Sequence, residues 1–182
     1  LDYDAFINNK MDFTVVATNA NTGEPTYFTK QDIKRDDYHV LMASSAIPAL
    51  SKAQKVEDVY YYDGALSDSI PVDKAFEMGC DKAVLILARP KDSLREVGKD
   101  NRLAFWIKGK YPKAAKKMRE RAYLYNESLK RAKEYEKEGR LLILAPEDSC
   151  GVTTITKDIE ALNKLYEMGR KDAEKIKEFL GG

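Results

Sequence analysis

Two cysteines, one histidine and one tryptophan are spread over 182 residues, and each scarcity narrows the chemistry open to the chain. Cys80 and Cys150 stand in unlike contexts, with no Cys-x-x-Cys pair and no histidine nearby. Neither a zinc site nor a disulfide framework is indicated, and a reducing, cytoplasmic setting is expected. His39 alone would have to serve any Ser-His-Asp triad, and one imidazole among apolar residues reads as a structural side chain. There is no Gly-x-x-x-x-Gly-Lys-Ser/Thr loop, so no nucleotide is implied, and no metal or other cofactor is expected. No apolar run nears the roughly 20 residues that cross a bilayer. The opening "LDYDAFINNK" has neither a basic n-region nor an apolar h-region, so it does not read as a secretion signal.

What is present is an ordinary globular composition. Apolar residues make up 43% and charged ones 34%, with 11 Tyr and 6 Phe, well outside the disordered range. A chain of this size buries about 70% of the surface it exposes when unfolded, so one real core is expected. The sequence begins at Leu1, amid what reads as folded sequence, and so reads as a piece of a longer polypeptide.

Strand and turn signals alternate in the first half. "DFTVVAT" (12 to 18), a turn at "NANTGE" and "PTYFT" (25 to 29) read as a hairpin. The apolar stretch "HVLMA" (39 to 43), the small-residue segment "SSAIPAL" and the aromatic strand "DVYYY" (58 to 62) follow. A short helix after Pro71 carries Ala75, Phe76 and Met78 and closes at Gly79. "KAVLILA" (82 to 88) and "LLILA" (141 to 145) are unbroken apolar runs, as in parallel strands buried on both faces. From Pro112, the residues Ala115, Met118, Ala122, Tyr125, Leu129, Ala132 and Tyr135 recur at spacings of three and four, a long amphipathic helix ending at Gly139. A second helix runs from an Asp158 N-cap through Leu162, Tyr166, Ala173 and Ile176. Gly169 in its middle costs about 1 kcal/mol relative to Ala, so close packing against a neighbour is expected there. The fold class is therefore α/β, a layered sheet with helices on both faces, plus a largely helical C-terminal extension. The expected division is residues 1–90, sheet-containing, and 91–182, helical with one returning strand at 140–145.

The chemistry centres on "VYYYDGALSDSIPV", residues 59 to 72. Asp63-Gly64 between strand-like residues is a common hairpin signal, with Gly64 supplying φ > 0. The alternative is that an aromatic run leading into a tight corner gives Asp63 a rigid mount from which to act as a general base. Among the serines, Ser149 in "EDSCG" has Glu147 where a nucleophile elbow needs glycine, so it reads as a loop. Ser44 and Ser45 read as small residues that allow close packing rather than as nucleophiles.

Three segments, "VVATNANTGEPTYF" (15 to 28), "MASSAIPAL" (42 to 50) and "YYDGALSDSIPVDKAFEMGCDKAVLILAR" (61 to 89), together resemble the patatin-like phospholipase family. Their order matches throughout residues 12 to 89, and the tail looks like a bacterial branch. The resemblance implies a Ser-Asp dyad, without histidine, that hydrolyses lipid acyl esters of the phospholipid or lysophospholipid type. The family's catalytic Asp falls on Asp63, with Gly64 and Ala65 completing the Asp-Gly-Ala form. The partner serine sits in a Gly-x-Ser-x-Gly elbow and the oxyanion hole in a glycine-rich loop, both further upstream in the family. No Gly-x-Ser-x-Gly occurs in these 182 residues. The implied partners are thus an acyl-ester substrate and the upstream part of the same polypeptide, and the isolated chain is expected to be inactive. Ser69 stands where many relatives carry Asn or Pro. The rival readings are a pseudoenzyme or a non-catalytic lipid-surface protein.

Charge is unevenly placed. Residues 91 to 133 hold 14 Lys or Arg against 5 Asp or Glu, and the rest hold 17 against 25. Phe105, Trp106 and Ile107 lie between these cations, a pattern suited to a peripheral contact with a membrane. The competing reading is a solvated helix face with a core-packing tryptophan. No nucleic-acid motif accompanies the basic stretch, so a nucleic-acid partner is not expected.

Overall fold

A computed structural model describes residues 2–153 and 156–181. The chain is mixed α/β with a helical C-terminal part, and it divides into two compact units, Leu1–Ile70 with Glu96–Tyr125, and Pro71–Arg95 with Asn126–Gly182.

In the first unit, helix α1 (Tyr3–Asn8) precedes strands β1 (Thr14–Asn19) and β2 (Pro25–Thr29), which form the expected hairpin. The Asn19 carboxamide oxygen accepts from the backbone N–H groups of Asn21 and Thr22, which sets the turn. Helix α2 (His39–Ser44) takes up the apolar stretch that follows the hairpin, burying Val40 and Ala43 one turn apart. Strands β3 (Gln54–Val56) and β4 (Val59–Asp63) complete an antiparallel sheet in the order β2-β1-β4-β3. Ala17 of β1 pairs with Asp63 of β4, and Thr18 with Tyr62.

One face of this sheet is covered by helix α2, with Ala17, Ala43 and Tyr61 packed together. Tyr62 points instead into a second cluster with Ala46, Leu66, Ile107, Tyr111 and Met118. This alternation of Tyr61 and Tyr62 is the period-2 geometry of a strand buried on both faces. Helix α4 (Asn101–Ile107) and the first part of helix α5 (Pro112–Lys137) supply the second cluster. Along α5, the residues Ala115, Met118, Ala122, Tyr125, Leu129 and Ala132 are buried, the stripe read from their spacing.

The second unit holds helix α3 (Val72–Glu77), strand β5 (Ala83–Ile86), the end of α5, strand β6 (Leu141–Leu144), and helices α6 (Ile159–Ala173) and α7 (Lys175–Gly181). Gly79 follows α3 with φ +95°, the C-terminal position expected for it. Strands β5 and β6 pair in parallel, as their apolar runs predict. Full burial of both is not found: Leu141, Ile143 and Leu144 are buried, but Ile86 is 75% exposed. Among the described residues β5 pairs with β6 alone, so its other edge and part of its surface stay open. Asp73 of α3 accepts from Arg131 Nε at 2.7 Å and from the Tyr135 hydroxyl at 3.1 Å. The Asp158 carboxylate caps α6 through the N–H groups of Glu160 and Ala161, as expected. The helix then breaks at Glu174 rather than running on through Ile176. Gly169 is not closely packed, since a Cβ built there meets nothing within 4 Å. It borders an open apolar cavity of about 220 Å³ between the strand ends and α6.

Tyr62 is nearly fully buried, its ring edge-on to Tyr111 at a centroid separation of 5.7 Å. Burial, with the phenol of Tyr111 second, pushes the Tyr62 hydroxyl above its usual 10. The folded chain therefore keeps this proton where the unfolded chain releases it. The stability it contributes is present below about pH 10 and is lost as pH rises beyond that value. Tyr62→Phe should accordingly flatten the alkaline fall of the urea midpoint, as read by circular dichroism across a pH series. An unchanged alkaline limb would show that another group controls it.

Candidate active site

Strand β4 ends at Asp63, and the chain turns at once into a short 3₁₀ segment, Gly64–Leu66, which Asp63 caps. Its carboxylate accepts from the Ala65 backbone N–H at 2.8 Å. This leaves the second carboxylate oxygen without a hydrogen bond among the described residues. The side chain is half-buried. Its backbone is held from both sides, the N–H donating to the Ala46 carbonyl at 3.0 Å and the carbonyl accepting from the Thr18 hydroxyl at 2.8 Å. Since a hydroxyl has one proton, Thr18 spends it on Asp63, and Ser67 must donate to Thr18 across their 2.8 Å contact. Thr18 is wholly buried, so both of its hydrogen bonds lie away from water, where breaking one leaves a polar group unsatisfied.

Asp63-Gly64 is thus a strand-to-turn corner, not the connection of a hairpin. Gly64 does not adopt positive φ, and the conformational reason for a glycine there does not apply. The reason is space: a Cβ on Gly64 would lie 2.4 Å from the Val16 carbonyl oxygen. Ala65 is half-buried and contributes its N–H to Asp63 and its carbonyl to the Ser69 hydroxyl at 2.7 Å. Close by, the Tyr27 hydroxyl donates to Asp68 at 2.6 Å, a second ordered carboxylate in this corner.

The small-residue segment does lie against Asp63, through Ala46. The Ser45 hydroxyl donates to its own helix at the Leu41 carbonyl, 3.2 Å away. Ser149 sits in the loop after β6, its carbonyl accepting from Val152. His39 is exposed rather than enclosed by apolar residues. Its Nδ1 lies 2.6 Å from Asp37, whose carboxyl is held below its ordinary value by hydrogen bonds from the His39 backbone and ring. Cys80 and Cys150 are free thiols.

The aromatic triplet on α4 splits. Phe105 and Trp106 are 61% and 76% exposed, so the tryptophan is not a core residue. Ile107 is 7% exposed and belongs to the Tyr62 cluster, which removes it from the expected membrane-contact set. No described helix is long and apolar enough to cross a membrane.

Residues 5–76 match the family model of patatin-like phospholipases. This part of the chain is similar to that family. The matched stretch covers the hairpin, α2, the Asp63 corner and most of α3. Residues 111–181 match a domain of unknown function, DUF6363. No curated protein matches the chain.

Sequence reasoning did not single out Thr18 or the Tyr27–Asp68 pair. Their partners lie across the sheet, and the trace they leave in sequence is one polar residue closing the apolar run "VVAT".

The corner makes a prediction from space alone. Gly64→Ala should destabilise by about 2 kcal/mol or more, because the blocking atoms are backbone and cannot swing away. Gly109→Ala, where a Cβ meets nothing within 4 Å, should be neutral or stabilising by up to about 1 kcal/mol. Urea denaturation of the two variants distinguishes them. Equal midpoints would contradict the close contact.

Proposed function

We propose that this chain is part of a patatin-like acyl-ester hydrolase in which Asp63 is the general base. The observation that carries the reading is the carboxylate itself. One oxygen is fixed by the Ala65 N–H, the other is free to take a proton, and the backbone on either side is clamped. A base held this way needs no reorganisation to meet a hydroxyl brought within about 3 Å of it.

In the proposed mechanism a serine in an upstream Gly-x-Ser-x-Gly elbow attacks the ester carbonyl while Asp63 takes its proton. Donors of an upstream glycine-rich loop hold the oxyanion. The proton then passes to the leaving alkoxide, and water, activated by the same carboxylate, releases the acyl group from serine. Since the serine belongs to the upstream part of the polypeptide, residues 1–182 alone are inactive in this reading. Substrates are lipid acyl esters, phospholipid or lysophospholipid, met in the cytoplasm at or near a lipid surface.

Asp63→Asn tests the role with little disturbance, because the carboxamide oxygen still accepts from Ala65. In the full-length protein it should lower ester turnover by about 10²- to 10⁴-fold, the contribution of a positioned base, while the urea midpoint stays near that of the wild type. Turnover that survives the substitution would remove Asp63 from the mechanism.

A further inference from the structure

Helix α4 and the start of α5 carry a surface that the hydrolase reading does not use. From 101 to 125 there are eight Lys or Arg and a single acidic residue, Glu120. Three of the cations are matched: Lys116 with Glu120, Lys117 with Glu24 and Arg121 with Asp100. Arg102, Lys108, Lys110, Lys113 and Arg119 have no carboxylate partner among the described residues. Amid them lie Phe105 and Trp106, edge to face at a centroid separation of 6.5 Å, with Lys108 Nζ 4.0 Å over the Phe105 ring.

The arrangement follows from helix geometry. Ala104 and Ile107 face the core, so the outward positions fall to Arg102, Phe105, Trp106 and Gly109, spaced by three and four. The α4–α5 junction is anchored by Tyr111, which packs against Tyr62, and Lys110 lies 5.2 Å over the rings of both Tyr60 and Tyr111. Two large exposed aromatic rings on a firmly seated helix, ringed by uncompensated cations, combine the two attractions an interfacial helix uses. The rings enter the boundary between headgroups and acyl chains, and the cations meet anionic headgroups. These residues fall between the two family matches, at 5–76 and 111–181.

We infer that the face built by Arg102, Phe105, Trp106, Lys108 and Lys110 docks on an anionic lipid bilayer, with Trp106 at the headgroup boundary. This inference does not depend on the role of Asp63, and the Asp63→Asn protein should bind vesicles as the wild type does. The test uses the full-length protein with vesicles of phosphatidylcholine alone and of phosphatidylcholine mixed with phosphatidylglycerol. Trp106 is the one tryptophan in these residues. Its emission is therefore read as the difference between wild type and Trp106→Phe.

Flotation with the anionic vesicles, weaker in high salt, and a blue shift of the difference emission are expected. Trp106→Ser with Phe105→Ser, and separately Lys108→Glu with Lys110→Glu, should each lower partitioning by about tenfold or more with unchanged urea midpoints. Difference emission that does not move with anionic vesicles would overturn the inference. So would variants that float as well as the wild type, or a single-stranded RNA that binds this face more tightly than the vesicles do.

Discussion

The Gly64 backbone lies so close to Val16 that no side chain fits between them, and the Asp63 corner depends on that approach. It brings the end of β4 onto β1, where the Thr18 hydroxyl reaches the Asp63 carbonyl and takes in turn the hydroxyl of Ser67. The N–H of Asp63 is taken by Ala46, so the residue is fixed before its side chain makes any contact. A carboxylate mounted in this way loses little side-chain freedom when it engages a partner, since the backbone cost has been met by folding.

The same strand supports two surfaces of different character. Tyr61 and Tyr62 point to opposite faces, one under α2 and the other under α4 and α5. Inward residues of α4 and α5 hold that second layer in place, and the turns of helix between them leave Phe105, Trp106 and the unmatched cations outside. With a rise of about 3.3 Å per residue, Tyr60, which meets Lys110, stands roughly 10 Å along β4 from Asp63. The proposed lipid-facing surface on α4 and the proposed base at Asp63 therefore both rest against β4 in the first unit.

Much of this was legible in sequence where the signal is local. The hairpin, the stripe of α5 from Ala115 to Ala132 and the Asp158 cap of α6 each follow from spacing and end residues within one element. The parallel pairing of β5 with β6 followed from their apolar runs, but the exposure of Ile86 did not, because burial depends on what lies beside the strand. At the Asp63 corner the dipeptide suggested the wrong kind of turn. Asp-Gly suggests a hairpin and positive φ, whereas Gly64 answers to a carbonyl far upstream, and no local pattern reports such a contact. Composition likewise cannot tell Trp106 from Ile107. A rotation of about 100° per residue along the helix puts one outside and the other in the core. Thr18 was overlooked because its partners lie across the sheet or beyond the next turn.

Labelling of the full-length protein with a fluorophosphonate, which reacts with activated serines, tests the central claim most directly when the modified peptide is read by mass spectrometry. Asp63 as general base predicts label on a serine upstream of Leu1, formed rapidly in the wild type and lost in Asp63→Asn. Label that forms at the same rate without the Asp63 carboxylate, or that lands on Ser44, Ser45 or Ser149, would contradict the account.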